Sequence, residues 1–502
     1  MNRAPLIVAL WIALCAGSSL HGALPVLPVP PAGLGVPLDP QPMPRETLVG
    51  LYRVELGSLF QPDKADAILQ AHALLEAYFA APSLAQRRSI VKSIEALNVD
   101  PAIIGRLTRV RARWAALAPG VYYVNEKRGP FVVRYFLGVP KGYDRTKASP
   151  LVVKLALIDA LLNQTPADAA AVTNLFNGSV SAELAKHPDA IVLMPLPDLA
   201  NLYGPSTAGM NDVIQAMLHA ADRVNIDPAR VYLFGQSLSA FSAWNLALHY
   251  PTYFASFAAM SGGIRADWQR SRLINLANTL PVFWADADDK IVRPDLSRNV
   301  ARSLKNLKID AEFQETKGLG HTPSDAILDD RYARLRSRVR PLYPEQVWVE
   351  STRPESVFGR ADWVQMWQPA APGKDHIVSL RRGGFINIFD NAESIRATRT
   401  GNHIDLIADN VDSLRLFLND QMIDTSRPIS VTVNKKTKFE GKITPSAEEM
   451  LMDQLTLGRG WRYYTAVLDI DLVDRPATNP TTRPTTAPTT PTRRRGITIG
   501  PG

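Results

Sequence analysis

The stretch that most restricts how this chain can fold is Val231-Tyr-Leu-Phe-Gly-Gln-Ser237-Leu-Ser239-Ala-Phe-Ser-Ala-Trp-Asn-Leu-Ala-Leu-His-Tyr250. An apolar run of strand character feeds into Gly235-Gln-Ser237-Leu-Ser239, and a segment of helical periodicity follows until Pro251 stops it. Strand, sharp turn and helix with a serine at the apex is the layout of a nucleophile elbow. Strand and helix backbones nearly touch at such a turn, so small residues are needed two before and two after the serine. Gly235 and Ser239 meet that demand, Ser239 less closely than a glycine would. The turn would raise the Ser237 hydroxyl above the strand ends and aim the Leu238 N–H at whatever the serine attacks. The plainer alternative is a serine-rich helix cap after a buried strand.

A serine nucleophile needs a base, and the base needs a group to orient it. Both follow downstream in the order acid, then histidine. Leu280-Pro-Val-Phe-Trp-Ala285 reads as a short buried strand running into Asp286-Ala-Asp288-Asp289-Lys-Ile-Val292, and Lys317-Gly-Leu-Gly-His321-Thr-Pro is a glycine-rich loop. Imidazole titrates near neutrality, so it can take the Ser237 proton and later return it. Of the eight histidines, His21 lies in an export signal; His72, His219 and His249 fall in helical patterns. His187 precedes a proline before a strand, and His376 and His403 belong to a β-rich region. That leaves His321 as the candidate base. Three aspartates compete for the acid: Asp289, standing before Lys-Ile-Val, is the choice, with Asp286 and Asp288 as the alternatives, and two of the three serve as turn or cap residues.

Arg134-Tyr-Phe-Leu-Gly-Val-Pro140-Lys-Gly-Tyr143-Asp, Asn225-Ile-Asp-Pro-Ala-Arg230, Tyr250-Pro-Thr-Tyr-Phe254 and Met260-Ser-Gly-Gly263 add a wider pattern. Residues 121–325 resemble an α/β-hydrolase of the secreted esterase kind, similar to polyhydroxybutyrate depolymerases, feruloyl and acetylxylan esterases and prolyl-oligopeptidase-type hydrolases. The resemblance implies a parallel sheet wound with helices and says little about substrate. One departure stands out. Where such enzymes usually place His-Gly after the strand Leu151-Val-Val153, this chain has Lys154-Leu-Ala156-Leu157-Ile158-Asp159. The resemblance implies an oxyanion hole made by the Leu238 N–H and one N–H from residues 156–158, with Leu157 the choice. Losing one such donor elsewhere costs about 100–1,000-fold in turnover.

At 502 residues the chain should hold more than one domain, and 46% hydrophobic with 21% charged residues supports a large core. Of the net charge of +8, five units are arginines after Asp474 and one is Arg3, so the body between carries only +2 and nothing argues for nucleic acid. Residues 1–23 read as a signal peptide: Arg3, the apolar Leu6–Leu14, then small residues to Ala23. The apolar run is too short for a membrane span. Cys15, the single cysteine, follows Leu14 rather than a small residue, which disfavours lipidation and leaves a mature chain without thiols.

Residues 24–44 hold eight prolines and read as an extended linker. A helical subdomain is expected over 45–119, with Asp63 capping a helix through Ile68, Leu75 and Phe79, a capping box at Ser83–Gln86, and Asp100-Pro101 opening a helix through Trp114. The hydrolase would occupy 120–344. From 345 to 474 alternating strands predict a β-sandwich-like accessory domain, in which Trp363 and Trp367 would share one strand face as core aromatics or as a sugar platform. Residues 475–502 are Thr/Pro-rich and read as a disordered tail.

The expectation is an exported serine hydrolase of carboxylic esters, its substrate an ester on a polysaccharide or polyester, with no cofactor, no metal and no nucleic-acid partner. The Asp286–Asp289 cluster lacks the ligand spacing of a calcium loop. Two alternatives stay open: a prolyl-oligopeptidase-like serine peptidase, and a non-catalytic binding protein on a hydrolase fold.

Overall fold

The structure is a computed structural model that describes residues 38–129, 131–156, 169–196, 203, 207–265, 267–351, 359–369, 375–379, 385–389 and 392–473. The proposed signal peptide and C-terminal tail lie outside these residues. Four helices come first: α1 (Arg45–Leu56), α2 (Ala65–Ala80), α3 (Leu84–Ala96) and α4 (Pro101–Leu107). Ser83 caps α3 by accepting the Gln86 N–H, and Asp100 caps α4 through the Ala102 N–H with Pro101 at the first helical position.

Three expectations for this region are corrected. Asp63 does not cap α2; it sits in a 3₁₀ turn, Pro62–Lys64, and Lys64 precedes the helix without a side-chain cap. α4 ends at Leu107, where the Thr108 hydroxyl turns back to the Gly105 carbonyl, and not near Trp114. Trp114 lies instead in a strand, Arg113–Ala115, paired antiparallel with Pro40–Pro42. The last residues of the proline-rich stretch are therefore packed, with Leu38 buried, because extended proline backbone suits an edge strand.

The centre is an eight-stranded sheet of β1 (Gly120–Arg128), β2 (Phe131–Val139), β3 (Ser149–Lys154), β4 (Ile191–Pro195), β5 (Ile226–Gln236), β6 (Ser256–Met260), β7 (Leu280–Asp286) and β8 (Glu312–Thr316). Their spatial order is β1-β2-β4-β3-β5-β6-β7-β8. The first two strands form an antiparallel hairpin, β2 meets β4 antiparallel, and every later pairing is parallel. Parallel strands need crossovers, which here carry α5 (Ala169–Lys186), α6 (Thr207–Ala221), α7 (Leu238–His249) and α8 (Asp295–Asn306), while α9 (Asp325–Ser337) follows β8 and packs back on the sheet. Period-two alternation divides the core. Leu151, Val153, Leu233, Phe257 and Phe283 join one apolar cluster, while Val152, Tyr232, Phe234, Val282 and Trp284 face Tyr332 and Leu335 of α9 in another. Helices thus cover both faces, as a parallel sheet requires, and the architecture is α/β.

Beyond α9 lie a five-stranded sheet (Gln346–Ser351, Glu393–Thr400, His403–Asp409, Ile429–Val433, Lys436–Gly441) and a four-stranded sheet (Arg360–Ala361, Val364–Pro369, Val411–Leu418, Ala466–Asp471). One apolar cluster joins the two. Trp363 and Trp367 do not share a strand face. Trp363 stands in the turn before Val364, fully buried, its Nε1–H donating to the Pro344 carbonyl at 2.8 Å. Trp367 is 40% exposed, with the Arg415 guanidinium 4.1 Å from its ring centre.

The same C-terminal segment closes the N-terminal helices. Ala447, Met450 and Leu451 of α10 (Ala447–Leu457), with Tyr463, share a core with Tyr52, Leu75, Tyr78, Ile94 and Leu107. Arg459 pairs with Glu76 at 2.7 Å, and Arg340 pairs with Asp362 at 2.7 Å, the latter pair buried. Removing one partner of such a buried pair costs about 3–5 kcal/mol, because a bare charge is left inside. Among the described residues no helix is long and apolar enough to cross a membrane.

Candidate active site

β5 ends at Gln236 and α7 begins at Leu238, so a single residue, Ser237, turns the chain. It does so at φ +55°, a left-handed conformation unusual for a residue with a Cβ. The turn is held by the Ser237 N–H donating to the Met260 carbonyl and the Ala240 N–H donating back to Ser237, both at 2.9 Å. Gly235 is needed here: a Cβ would lie 2.1 Å from the Ser239 carbonyl oxygen.

The turn after β7 and the loop after β8 bring the partners. Ser237 Oγ lies 2.9 Å from His321 Nε2, and His321 Nδ1 lies 2.8 Å from Asp289 Oδ2. An ionised carboxylate can only accept, so Nδ1 carries the imidazole proton and Nε2 is left to accept from the serine hydroxyl. The other Asp289 oxygen accepts the N–H groups of Ile291 and Val292 at 2.8 and 2.9 Å, which fixes the carboxylate plane. The Asp289 side chain is buried. Asp288 is exposed and Asp286 is fully buried but points elsewhere, towards the loop backbone.

Leu238 is the first residue of α7, and its N–H is one of the helix's unpaired first four, at the positive end of the helix dipole. On the facing strand end, the Ala156 N–H donates to the Tyr203 hydroxyl at 3.2 Å, and that hydroxyl donates to the Pro195 carbonyl at 2.5 Å. Ala156 therefore has no N–H to offer an oxyanion in this state. Leu157 and Ile158, the other expected donors, lie outside the described residues. Lys154, at the departure from His-Gly, is ion-paired with Glu183 of α5 and sits 4.8 Å from the Phe234 ring centre. The Tyr332 hydroxyl donates to Glu183 at 2.7 Å.

Sequence reasoning gives no part to Ser261, whose hydroxyl donates to the His321 carbonyl, or to Thr316, whose hydroxyl donates to Asp286. Asp286 itself reads in the sequence only as an alternative acid or a turn residue.

Four of the other histidines hydrogen-bond to structural partners, and His187 faces Glu183 at 3.6 Å. His72 bonds Tyr52 and the Val110 carbonyl, His219 bonds Tyr135 and Glu126, and His249 bonds the Asn245 carbonyl. His403 bonds Ser430.

Residues 210–319 match the model of a protein family described as "Putative esterase". The fold and this match define the class to which the chain is similar: the α/β-hydrolase esterases. Among solved structures, a thermostable esterase is 20% identical with a TM-score of 0.33, covering 44% of this chain and 63% of its own. The esterase PE8 is 22% identical with a TM-score of 0.28, covering 40% of this chain and 97% of its own. A ferulic acid esterase from the anaerobic fungus Anaeromyces mucronatus is 14% identical with a TM-score of 0.32, covering 46% and 94%. No curated protein matches.

Proposed function

We propose that the chain is an exported serine hydrolase that cleaves carboxylic esters through an acyl-enzyme. Ser237 Oγ attacks the ester carbonyl while His321 Nε2 takes its proton. Asp289 keeps Nδ1 protonated and stabilises the imidazolium, and the Leu238 N–H receives the developing oxyanion. His321 then returns the proton to the leaving alcohol, and a water repeats the sequence to release the acid. The observation that carries this reading is the hydrogen-bonded line from Ser237 through His321 to Asp289, at 2.9 and 2.8 Å, on a turn held at φ +55°. An ordinary helix cap has no reason to store that strain.

Export is supported by the sequence of residues 1–23. Two large apolar side chains flank the site: Ile291, 61% exposed, two residues after Asp289, and Leu319, 41% exposed, two before His321. They favour a substrate with an apolar group beside the ester, as on a polyester or an acylated polysaccharide. The helices of residues 45–119 and the sheets of 345–474 serve as a supporting jacket, and the tail from 475 as a tether.

The reading is tested with an organophosphonate ester and with Ser237→Ala. Stoichiometric labelling at Ser237, and a loss of more than about 100-fold in ester turnover at an unchanged melting temperature, are expected. A folded protein that takes no label would be the binding protein instead, and labelling at Ser239 would move the nucleophile.

A further inference from the structure

Asp286 closes β7 with a fully buried side chain, yet both ring nitrogens of His321 are already committed to Asp289 and Ser237. Its partners lie in two loops. Oδ1 accepts the Asp288 N–H at 2.9 Å, while Oδ2 accepts the Thr316 hydroxyl at 2.8 Å and the Leu319 N–H at 3.1 Å. The Gly320 N–H adds to this set. Trp284 Nε1–H donates to Thr316 Oγ1 at 3.0 Å, which leaves the Thr316 proton free to point at Asp286. Leu319 and Gly320 are the two residues before His321. The loop they belong to has Gly318 at φ +91° and Gly320 at φ +68°, so it has little stiffness of its own.

On the other side stands Ser261, one residue past β6. Its hydroxyl donates to the His321 carbonyl at 2.7 Å, and its N–H donates to the Trp284 carbonyl at 3.0 Å. It is buried and held at φ +54°, a second strained serine within the same site.

We propose that Asp286 and Ser261 are the positioning residues of the histidine loop: one gathers the N–H groups leading into His321, the other holds its carbonyl. The ring is thereby set between Ser237 and Asp289 before substrate arrives. This rests on reading His321 as the base. The chemistry asks for an ionised carboxylate at 286, because only an all-acceptor group can face several converging donors; an asparagine would turn two N–H donors towards them. Burial alone would raise the Asp286 carboxyl, but the Asp288, Thr316, Leu319 and Gly320 donors outweigh it and bring it down to about 2.

Four variants test the assignment: Asp286→Asn, Thr316→Val, Thr316→Ser and Ser261→Gly. A loosened base should lower kcat and leave binding alone. Asp286→Asn is expected to lose about 10–100-fold in kcat with KM within about twofold. Thr316→Val should lose kcat several-fold while Thr316→Ser, which keeps the hydroxyl, stays near wild type. Ser261→Gly separates loop anchoring from stability, since glycine relieves the positive φ: the melting temperature should hold or rise while kcat falls about tenfold. The low-field Nδ1–H proton resonance of His321 gives a readout independent of turnover; it should be sharp in wild type and Thr316→Ser and broadened in Asp286→Asn. A folded Asp286→Asn with more than half the wild-type kcat and an unaltered resonance overturns the proposal. If Asp286→Asn does not fold, Thr316→Val and Ser261→Gly decide it in the same way. Wild-type protein that neither hydrolyses esters nor takes the phosphonate defeats the esterase reading, and the proton resonance then still decides the loop.

Discussion

The Ser239 hydroxyl donates to the Ala156 carbonyl, tying the first turn of α7 to the end of β3. A glycine at 239 would fit the elbow with less crowding but could not make this bond. With the Ala156 N–H given to Tyr203, both polar groups of Ala156 are fixed, so the backbone bordering the nucleophile enters the next residues from a defined direction. This brace stands where related enzymes would have His-Gly, and a hydroxyl supplies the rigidity.

The acid is decided by charge at fixed shape. Asp289→Asn is expected to lower kcat about 10⁴-fold, because asparagine favours the wrong imidazole tautomer and removes the charge behind the imidazolium. Asp288→Asn, on an exposed side chain, should cost less than about tenfold. Steady-state hydrolysis of a soluble nitrophenyl ester measures both. A crippled Asp288→Asn beside an active Asp289→Asn would mean that the acid is misassigned.

Chain-length preference tests the apolar rim. A methylene taken from water is worth about 0.8 kcal/mol, roughly fourfold in affinity. Replacing Ile291 and Leu319 together by serine should therefore reduce kcat/KM for an octanoyl ester relative to an acetyl ester by about tenfold or more. An unchanged ratio would show that the acyl group lies elsewhere.

Acid sensitivity should follow Glu183. Burial alone would raise its carboxyl, but His187, Lys154 and Tyr332 outweigh that and lower it from 4.5 to about 2. A carboxyl lowered on folding stabilises the fold above its unfolded value and loses that contribution as pH falls towards the folded one. The window is thus about pH 4.5 to 2, with a contribution on the order of 3 kcal/mol. Thermal melts across that window should be steep for wild type. Glu183→Gln should melt lower at pH 7 and change less between pH 4.5 and 2; parallel curves would refute the linkage.

Gly105 is predicted to resist substitution. Alanine would gain up to about 1 kcal/mol in helix propensity. Its Cβ, however, would lie 2.3 Å from Tyr463 Cδ2, and overpacking of that kind costs about 1–3 kcal/mol or more. Gly105→Ala should lower the melting temperature by several degrees, and a rise would mean that Tyr463 can move aside.

What the sequence made legible was local. The turn at Ser237 announces itself through Gly235, the strand before it and the helix after it. The Gly-flanked His321 and the aspartates at the end of β7 fall in the order a hydrolase needs. What stayed hidden is long-range. Glu76 and Arg459 pair across 383 positions, and nothing near either residue signals the other. The stretch containing α10 reads as part of a β-rich region because its role is set by distant helices. The sequence pattern runs past the end of α4 because Val110 and Trp114 continue the apolar rhythm, while pairing with Pro40–Pro42 claims the backbone.

The sharing of one core by α1–α4 and residues 447–463 also sets the order in which this polypeptide can fold. Synthesis delivers the helices first and their covering residues last. At about 5–20 residues per second the interval between them lasts on the order of tens of seconds. During that time the core that α1–α4 form among themselves lacks the side that Met450, Leu451 and Tyr463 close. Whatever escorts the nascent chain must keep that side from sticking to other chains until Tyr463 has followed.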